Sequence, residues 1–319
     1  MDWRDNLTAY LRTRLPSAQD VVLGQLSGMP AGASNETIGV DIHVHCDGIN
    51  SVLPMVLRPE RSDGILAPYD IQRQFWVMRA LSRTSVLVPT VAWYEPDAAV
   101  IGAPFFFMTR ERGETLPLFW YGGQGPRLHA VAAALAVVHA VNWRSAGLDF
   151  LLPRGWDGSP QEADLASWHD RAAHARVDRA PLLSSLREFL RKNEPSDARL
   201  CFLHGDPNPG NYLMDGDEVA AVLDWEVAGV GDPRSDLGFY AALMTVFGGS
   251  ATDGGQTLLS RAYEDVVGKR LQNLEYYEGA GLYKMAIVMV GWTGRHGFGQ
   301  GLNPIARRLS VLFGPQWAR

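Results

Sequence analysis

Leu203-His204-Gly205-Asp206-Pro207-Asn208-Pro209-Gly210-Asn211, with Leu223-Asp224-Trp225-Glu226 close behind it, is the stretch on which the reading of this chain turns. It sets an aspartate, an asparagine five residues later, and a second aspartate beyond a short apolar run. Phosphoryl transfer calls for such a set: one carboxylate orients the attacking hydroxyl, while an amide and another carboxylate hold a divalent cation. A His-Gly-Asp triplet alone is usually a turn, so the asparagine and the later Asp-Trp-Glu carry the argument.

The residues in between make structural sense. Tyr212 to Met214 and Val219 to Leu223 read as two short apolar strands, with Asp215-Gly216-Asp217 as the hairpin turn signal between them. A hairpin brings Asn211 and Asp224, at its outer ends, to one end of the ribbon. Two oxygen ligands converging there suit Mg²⁺, which takes a few protein oxygens together with phosphate and water.

The segment resembles the signature of the aminoglycoside phosphotransferase and choline kinase-like family. Members of that family phosphorylate hydroxyls of small molecules such as aminoglycosides, macrolides, choline, homoserine or sugars. The match is strong from Leu203 to Asp236 and weaker elsewhere. It implies an α+β, two-lobed protein kinase-like fold. Residues 1–112 would form a small nucleotide-binding lobe with a five-stranded antiparallel sheet, and residues 113–319 a larger, mainly helical catalytic and acceptor-binding lobe. The resemblance also implies ATP and Mg²⁺, with Asp206 as catalytic base and Asn211 and Asp224 as metal ligands. Gly231-Asp232-Pro233-Arg234-Ser235-Asp236-Leu237-Gly238 matches the segment with which the family braces its catalytic loop. Asp236 is therefore expected to accept backbone hydrogen bonds, with His204 and Glu226 in supporting places.

At 319 residues, 46% hydrophobic and 20% charged, the chain can form two domains with ordinary cores. A net charge of −6 argues against a nucleic-acid or anionic-membrane surface. Two cysteines, Cys46 and Cys201, make no disulfide framework. The charged start lacks the apolar core of a signal peptide, and the apolar runs at Val131–Val141 and Met285–Trp292 are too short to span a bilayer. A cytoplasmic protein is expected.

Leu7, Tyr10, Leu11 and Leu15 fall at helical spacing and Pro16 stops the helix. Val21 to Leu26 reads as a strand, followed by a turn of small residues from Ser27 to Asn35 and a second strand from Glu36. Such a loop lets backbone N–H groups approach phosphate; the family resemblance places Ser34 and Asn35 near the triphosphate. His43 and His45 share one strand face and Cys46 points the other way, a poor zinc set. The third strand ends in Met55-Val56-Leu57-Arg58, with regular pairing expected only after Pro54. Family members carry a phosphate-binding cation here, so Arg58 replaces the usual lysine. The next helix shows the stripe Ile71, Phe75, Met78 and Leu81. Where the family has a glutamate paired with the strand cation, this chain has Gln74, expected to orient Arg58 without charge assistance. Val86 to Tyr94 and Pro104 to Thr109 complete the expected sheet. Met108 to Gly113 resembles the family hinge, with Met108 lining an adenine pocket and the backbones of Thr109 and Glu111 bonding the base.

A helix from Pro126 to Val141 follows, on which His129 and His139 read as packed or capping residues, and another from Leu182 to Leu190. The family binds its acceptor in this region and in the C-terminal helices. Asp164, Asp170, Glu275 and Glu278 are the acidic candidates, and Trp168 and Trp292 the stacking candidates. A protein kinase is disfavoured because neither Asp-Phe-Gly nor Ala-Pro-Glu is present. A nucleotide-binding pseudoenzyme draws support from Arg58 and Gln74, but the intact Asp206, Asn211 and Asp224 outweigh it. The resulting reading is an ATP- and Mg²⁺-dependent kinase acting on a small-molecule hydroxyl. The acceptor stays open between an aminoglycoside-like or other hydroxylated metabolite and a 4-hydroxyacyl thioester. Arg58 and the Trp168 region resemble the branch fused to acyl-CoA dehydrogenases.

Overall fold

The computed structural model describes residues 3–28, 37–62, 66–117, 125–156, 158–178, 180–248, 253–296 and 302–317. Ser34 and Asn35 lie outside the described residues, as does the side chain of Trp292.

A first helix, α1 (Trp3–Arg14), leads into strands β1 (Asp20–Gly28), β2 (Ile38–Cys46) and β3 (Ile49–Pro59). Helix α2 (Ile71–Leu81) and strands β4 (Val91–Glu95) and β5 (Phe105–Thr109) follow. The strands form one antiparallel sheet in the order β1-β2-β3-β5-β4. Strand alternation gives the sheet two faces. Met55, Leu57, Phe105 and Phe107 pack with Leu7, Tyr10 and Leu11 of α1, whereas Val56, Phe106 and Met108 join the core that includes Phe75 and Met78 of α2. Arg58, two residues on from Val56, falls on the α2 face, toward the rest of the molecule.

Two expectations about this sheet are corrected. Pro54 sits inside β3, opposite Asp41, rather than before the paired region. The Pro54 carbonyl accepts from Arg110 N at 3.0 Å, so its missing N–H faces the end of β5 and not β2. The strand expected over residues 86–94 begins only at Val91. The Leu87 carbonyl is instead taken by Val222 N at 2.7 Å, and Pro89 has no N–H to offer a ladder.

The rest of the chain is mainly helical: α3 (Pro126–His139), α4 (Pro160–His174), α5 (Pro181–Lys192), α6 (Arg234–Leu243), α7 (Leu258–Val267), α8 (Leu274–His296) and α9 (Asn303–Phe313). Five short strands are set among them. β6 (Glu114–Thr115), β8 (Tyr212–Asp215) and β9 (Glu218–Val222) form one sheet, and β7 (Cys201–Leu203) pairs with β10 (Gly229–Gly231). Helices α6 and α8 cross almost backbone to backbone. A Cβ on Gly238 would lie 2.1 Å from the Tyr277 carbonyl oxygen, and one on Gly281 would lie 2.3 Å from that of Gly238. Two ion pairs are sealed into this region: Lys284 to Asp164 at 2.7 Å, and Arg308 to Glu278 at 2.7 and 2.8 Å. Among the described residues no helix is long and apolar enough to cross a membrane.

Candidate active site

The loop 204–211 leaves β7 and enters β8. Gly205 adopts φ +87°, and a Cβ there would lie 2.2 Å from the Val227 carbonyl oxygen, so glycine is required for the loop to lie against residues 225–228. Asp236, at the start of α6 and fully buried, ties the loop from beneath. Its carboxylate accepts from His204 N at 2.9 Å and Gly205 N at 2.8 Å. It also meets His139 Nε2 at 3.0 Å, and His139 Nδ1 is 2.8 Å from the Tyr263 hydroxyl. Burial alone would raise the Asp236 pKa, but the hydrogen bond and charge of His139, with other donors, hold it below the usual carboxylate value. The bracing expected of Asp236 is what its contacts do, and His139 is its packed partner.

The His204 ring is buried under Trp225 and Tyr212, with centroids 4.6 and 6.3 Å away. Its Nδ1 accepts from Asp206 N at 3.2 Å, so the neutral ring donates through Nε2 to the Leu223 carbonyl at 2.8 Å. Burial lowers its pKa, consistent with that neutral form. One side chain thus links the backbone beside Asp206 to that beside Asp224.

Asn211 Nδ2 donates to the Asp206 carbonyl at 2.9 Å and to its carboxylate Oδ2 at 3.1 Å, so the amide oxygen takes no part in holding Asp206. Leu223 N bonds the Asn211 carbonyl at 2.7 Å, closing the hairpin end as expected. Asp224 is then turned by a left-handed backbone, φ 62° and ψ 63°, into the short turn Trp225–Val227. Its Oδ1 meets Arg58 Nη2 at 2.9 Å, while Arg58 Nη1 donates to Thr37 Oγ1 at 3.1 Å. The Asp206 pKa is pushed up to about 7, first by burial and then by the charge of Asp224. Two carboxylates that repel one another, with an amide oxygen beside them, are a donor set that a hard divalent cation fits.

Gln74 does not serve as expected. It is buried, but its Oε1 finds no hydrogen-bond partner among the described residues, and neither does Arg58 Nε. Arg58 turns its terminal nitrogens to Thr37 and Asp224 instead. The contact from α2 to the site comes from the preceding residue: Arg73 donates to the carbonyls of Glu226, at 3.4 Å, and Ala228. A lone arginine at a helix start carries no pattern, so nothing in the sequence singles out Arg73. At the expected hinge, Met108 is buried, Thr109 N is bonded to the Thr90 carbonyl at 2.9 Å, and the exposed Glu111 accepts from the Thr109 hydroxyl at 2.5 Å.

The acceptor candidates divide. Asp164 and Glu278 are consumed by Lys284 and Arg308, and Trp168 is a core residue at 1% exposure. Burial places these three in the packing of the helices. Asp170 and Glu275 are exposed. The buried partners Lys284 and Arg308 have no signal in one-dimensional spacing.

A five-stranded sheet carrying Arg58, set against a helical body that presents Asp206, Asn211 and Asp224, defines the class: a kinase-like phosphotransferase. Residues 27–267 match the family model described as Phosphotransferase enzyme family, the APH family, and the chain belongs to it. It is similar to acyl-CoA dehydrogenase family member 11 of Rattus norvegicus, 31% identical over 248 residues that cover 73% of this chain and 30% of the relative. It is also similar to family member 10 of Mus musculus, 30% identical over 58% of this chain and 18% of the relative. The chain thus spans about a third or less of the length of these relatives. Among solved structures it resembles a provisionally named aminoglycoside phosphotransferase of Ralstonia eutropha JMP134, with a TM-score of 0.66, 23% identity, and coverage of 98% and 97% of the two chains. A thermostable mutant of aminoglycoside phosphotransferase APH(4)-Ia, in ternary complex with ADP and hygromycin B, gives 0.59 at 16% identity, covering 97% and 98%.

Proposed function

We propose that this chain transfers the γ-phosphate of ATP to a hydroxyl of a small molecule, with residues 1–112 supplying the nucleotide lobe and residues 113–319 the catalytic and acceptor lobe. The observation that carries the reading is the convergence of Asp206, Asn211 and Asp224 at one hairpin end, with Arg58 reaching Asp224 from the sheet at 2.9 Å. Asn211 and Asp224 would hold Mg²⁺, which when bound neutralises charge on the transferring group. Asp206 orients the acceptor hydroxyl and takes its proton at the carboxylate. Arg58 binds phosphate oxygens through its planar fork. Met108 would line the base pocket, and the backbones of Thr109 and Glu111 would supply hydrogen bonds to adenine. Ser34 and Asn35, by the family resemblance, would act near the triphosphate.

The similarity to relatives named as acyl-CoA dehydrogenase family members supports a second choice of acceptor, a 4-hydroxyacyl thioester, beside the aminoglycoside-like one. The test is calorimetric titration of ATP with and without Mg²⁺, on wild type and Asp224→Asn, followed by an ADP-release panel containing both acceptor classes. Tight Mg²⁺-dependent binding that the variant loses is the expected result. Binding indifferent to metal and mutation would overturn the kinase reading in favour of a nucleotide-binding pseudoenzyme.

A further inference from the structure

The helix that normally couples the sheet to the catalytic segment lacks its acid here, yet α2 is held firmly, and the residue that holds it is Arg73. We infer that Arg73 is a positioning residue: it docks α2 on the turn that follows Asp224 and thereby sets both Asp224 and Asp206. The inference rests on the phosphotransferase reading of the site for its functional part only.

Three observations carry it. First, the guanidinium reaches two backbone carbonyls of one turn. Trp225–Val227 is a short 3₁₀ turn, and Ala228 N returns to Trp225 O at 3.3 Å. The carbonyls of Glu226 and Ala228 take the Arg73 donors, so a cation closes the negative end of that turn. Second, the same turn presses on the catalytic loop. The Val227 carbonyl lies where a Gly205 Cβ would stand, and Gly229 pairs with Leu203, so displacement of 226–228 moves the loop that bears Asp206. Third, α2 is fixed at the other end of the link. Asp70 Oδ1 caps Arg73 N at 2.7 Å, and Glu60 Oε2 accepts from Ile71 N at 3.0 Å, two carboxylates at the positive end of the helix.

The neighbouring Gln74 makes no hydrogen bond to this turn among the described residues, and its buried Oε1, an acceptor, could not serve the turn's carbonyls. Charged groups also bear on Arg73 from α4: Arg171, which donates to the Pro68 carbonyl at 3.2 Å, faces the same cluster. Burial and the charge of Arg171 lower the Arg73 pKa to about 10, which leaves it cationic at neutral pH. The link is therefore permanent under ordinary conditions, not a switch.

The experiment is hydrogen exchange on full-length wild type, Arg73→Met and Arg73→Lys, paired with ATP titrations with and without Mg²⁺. In Arg73→Met the amides of 225–229 should exchange about tenfold faster or more, while amides of α6 and α8 keep their wild-type rates. Mg²⁺-dependent tightening of ATP should fall at least about threefold with Mg²⁺-free binding unchanged, a metal-specific loss that a general packing role would not produce. Arg73→Lys, which keeps the charge but loses the planar two-armed fork, should fall between. Wild-type exchange at 225–229 in Arg73→Met, or equal acceleration in α6 and α8, would overturn the inference. If the methionine variant fails to fold, the lysine variant is read alone against the same two criteria. Should wild type bind no ATP, the kinase reading fails, and the exchange data still decide whether Arg73 positions the turn.

Discussion

Asp206 is costly to fold and useful once folded. Its pKa is raised to about 7 by burial and by Asp224, whereas an unfolded carboxylate titrates near 3.8. A raised acid favours the folded state below the unfolded pKa and loses that favour as pH climbs to the folded one. Stability should therefore drain away between about pH 4 and pH 7. Asp206→Asn removes the charge and should be more stable than wild type, with an advantage that grows across that window and levels off at about 1–3 kcal/mol. Thermal melts of both proteins at pH 4, 6 and 8 measure it; an advantage that is constant or shrinks with pH would contradict the assignment. The same variant should lose transfer by about 10²–10⁴-fold.

At the scale of elements, the catalytic loop is held by α6 rather than by its own turns. Asp236→Ala leaves the N–H groups of His204 and Gly205 and the His139 ring without their acceptor. The expected loss is about 3–5 kcal/mol in urea unfolding. Because the Asp236 pKa is depressed in the fold, its contribution is complete above about pH 4 and is lost as pH falls further, so the gap between wild type and variant should narrow in acid. The α6–α8 crossing gives an independent test. Gly238→Ala drives a methyl into the Tyr277 backbone, which cannot yield as a flexible side chain would. A loss above about 3 kcal/mol is expected, measured as a fall in melting temperature.

For the whole molecule, the site is assembled from both halves: Thr37, Arg58 and Arg73 come from the first, and Asp206, Asn211 and Asp224 from the second. A ligand that contacts both must stabilise the joined form. ATP with Mg²⁺ at 100 times its dissociation constant should add about 2.7 kcal/mol to unfolding, and the Mg²⁺-dependent part should vanish in Asp224→Asn. Differential scanning calorimetry reads both. An ATP-induced shift that is the same with and without Mg²⁺ would contradict the assignment of Asp224 as a ligand.

What the chain declares in one dimension is local. The spacing of Asp206, Asn211 and Asp224, the hairpin turn between β8 and β9, and the α2 stripe follow from strand and helix periods, which a sequence displays directly. The bracing role of Asp236 was legible through its motif. Tertiary structure decided the partners. Whether Asp164 faces an acceptor or Lys284, whether Glu278 is free or held by Arg308, and whether Gln74 or Arg73 reaches the catalytic turn depend on side chains brought together from as far as 155 positions apart. Burial settles such questions, because a desolvated charge must find a partner wherever the fold offers one. No residue's type or spacing states in advance which partner that will be.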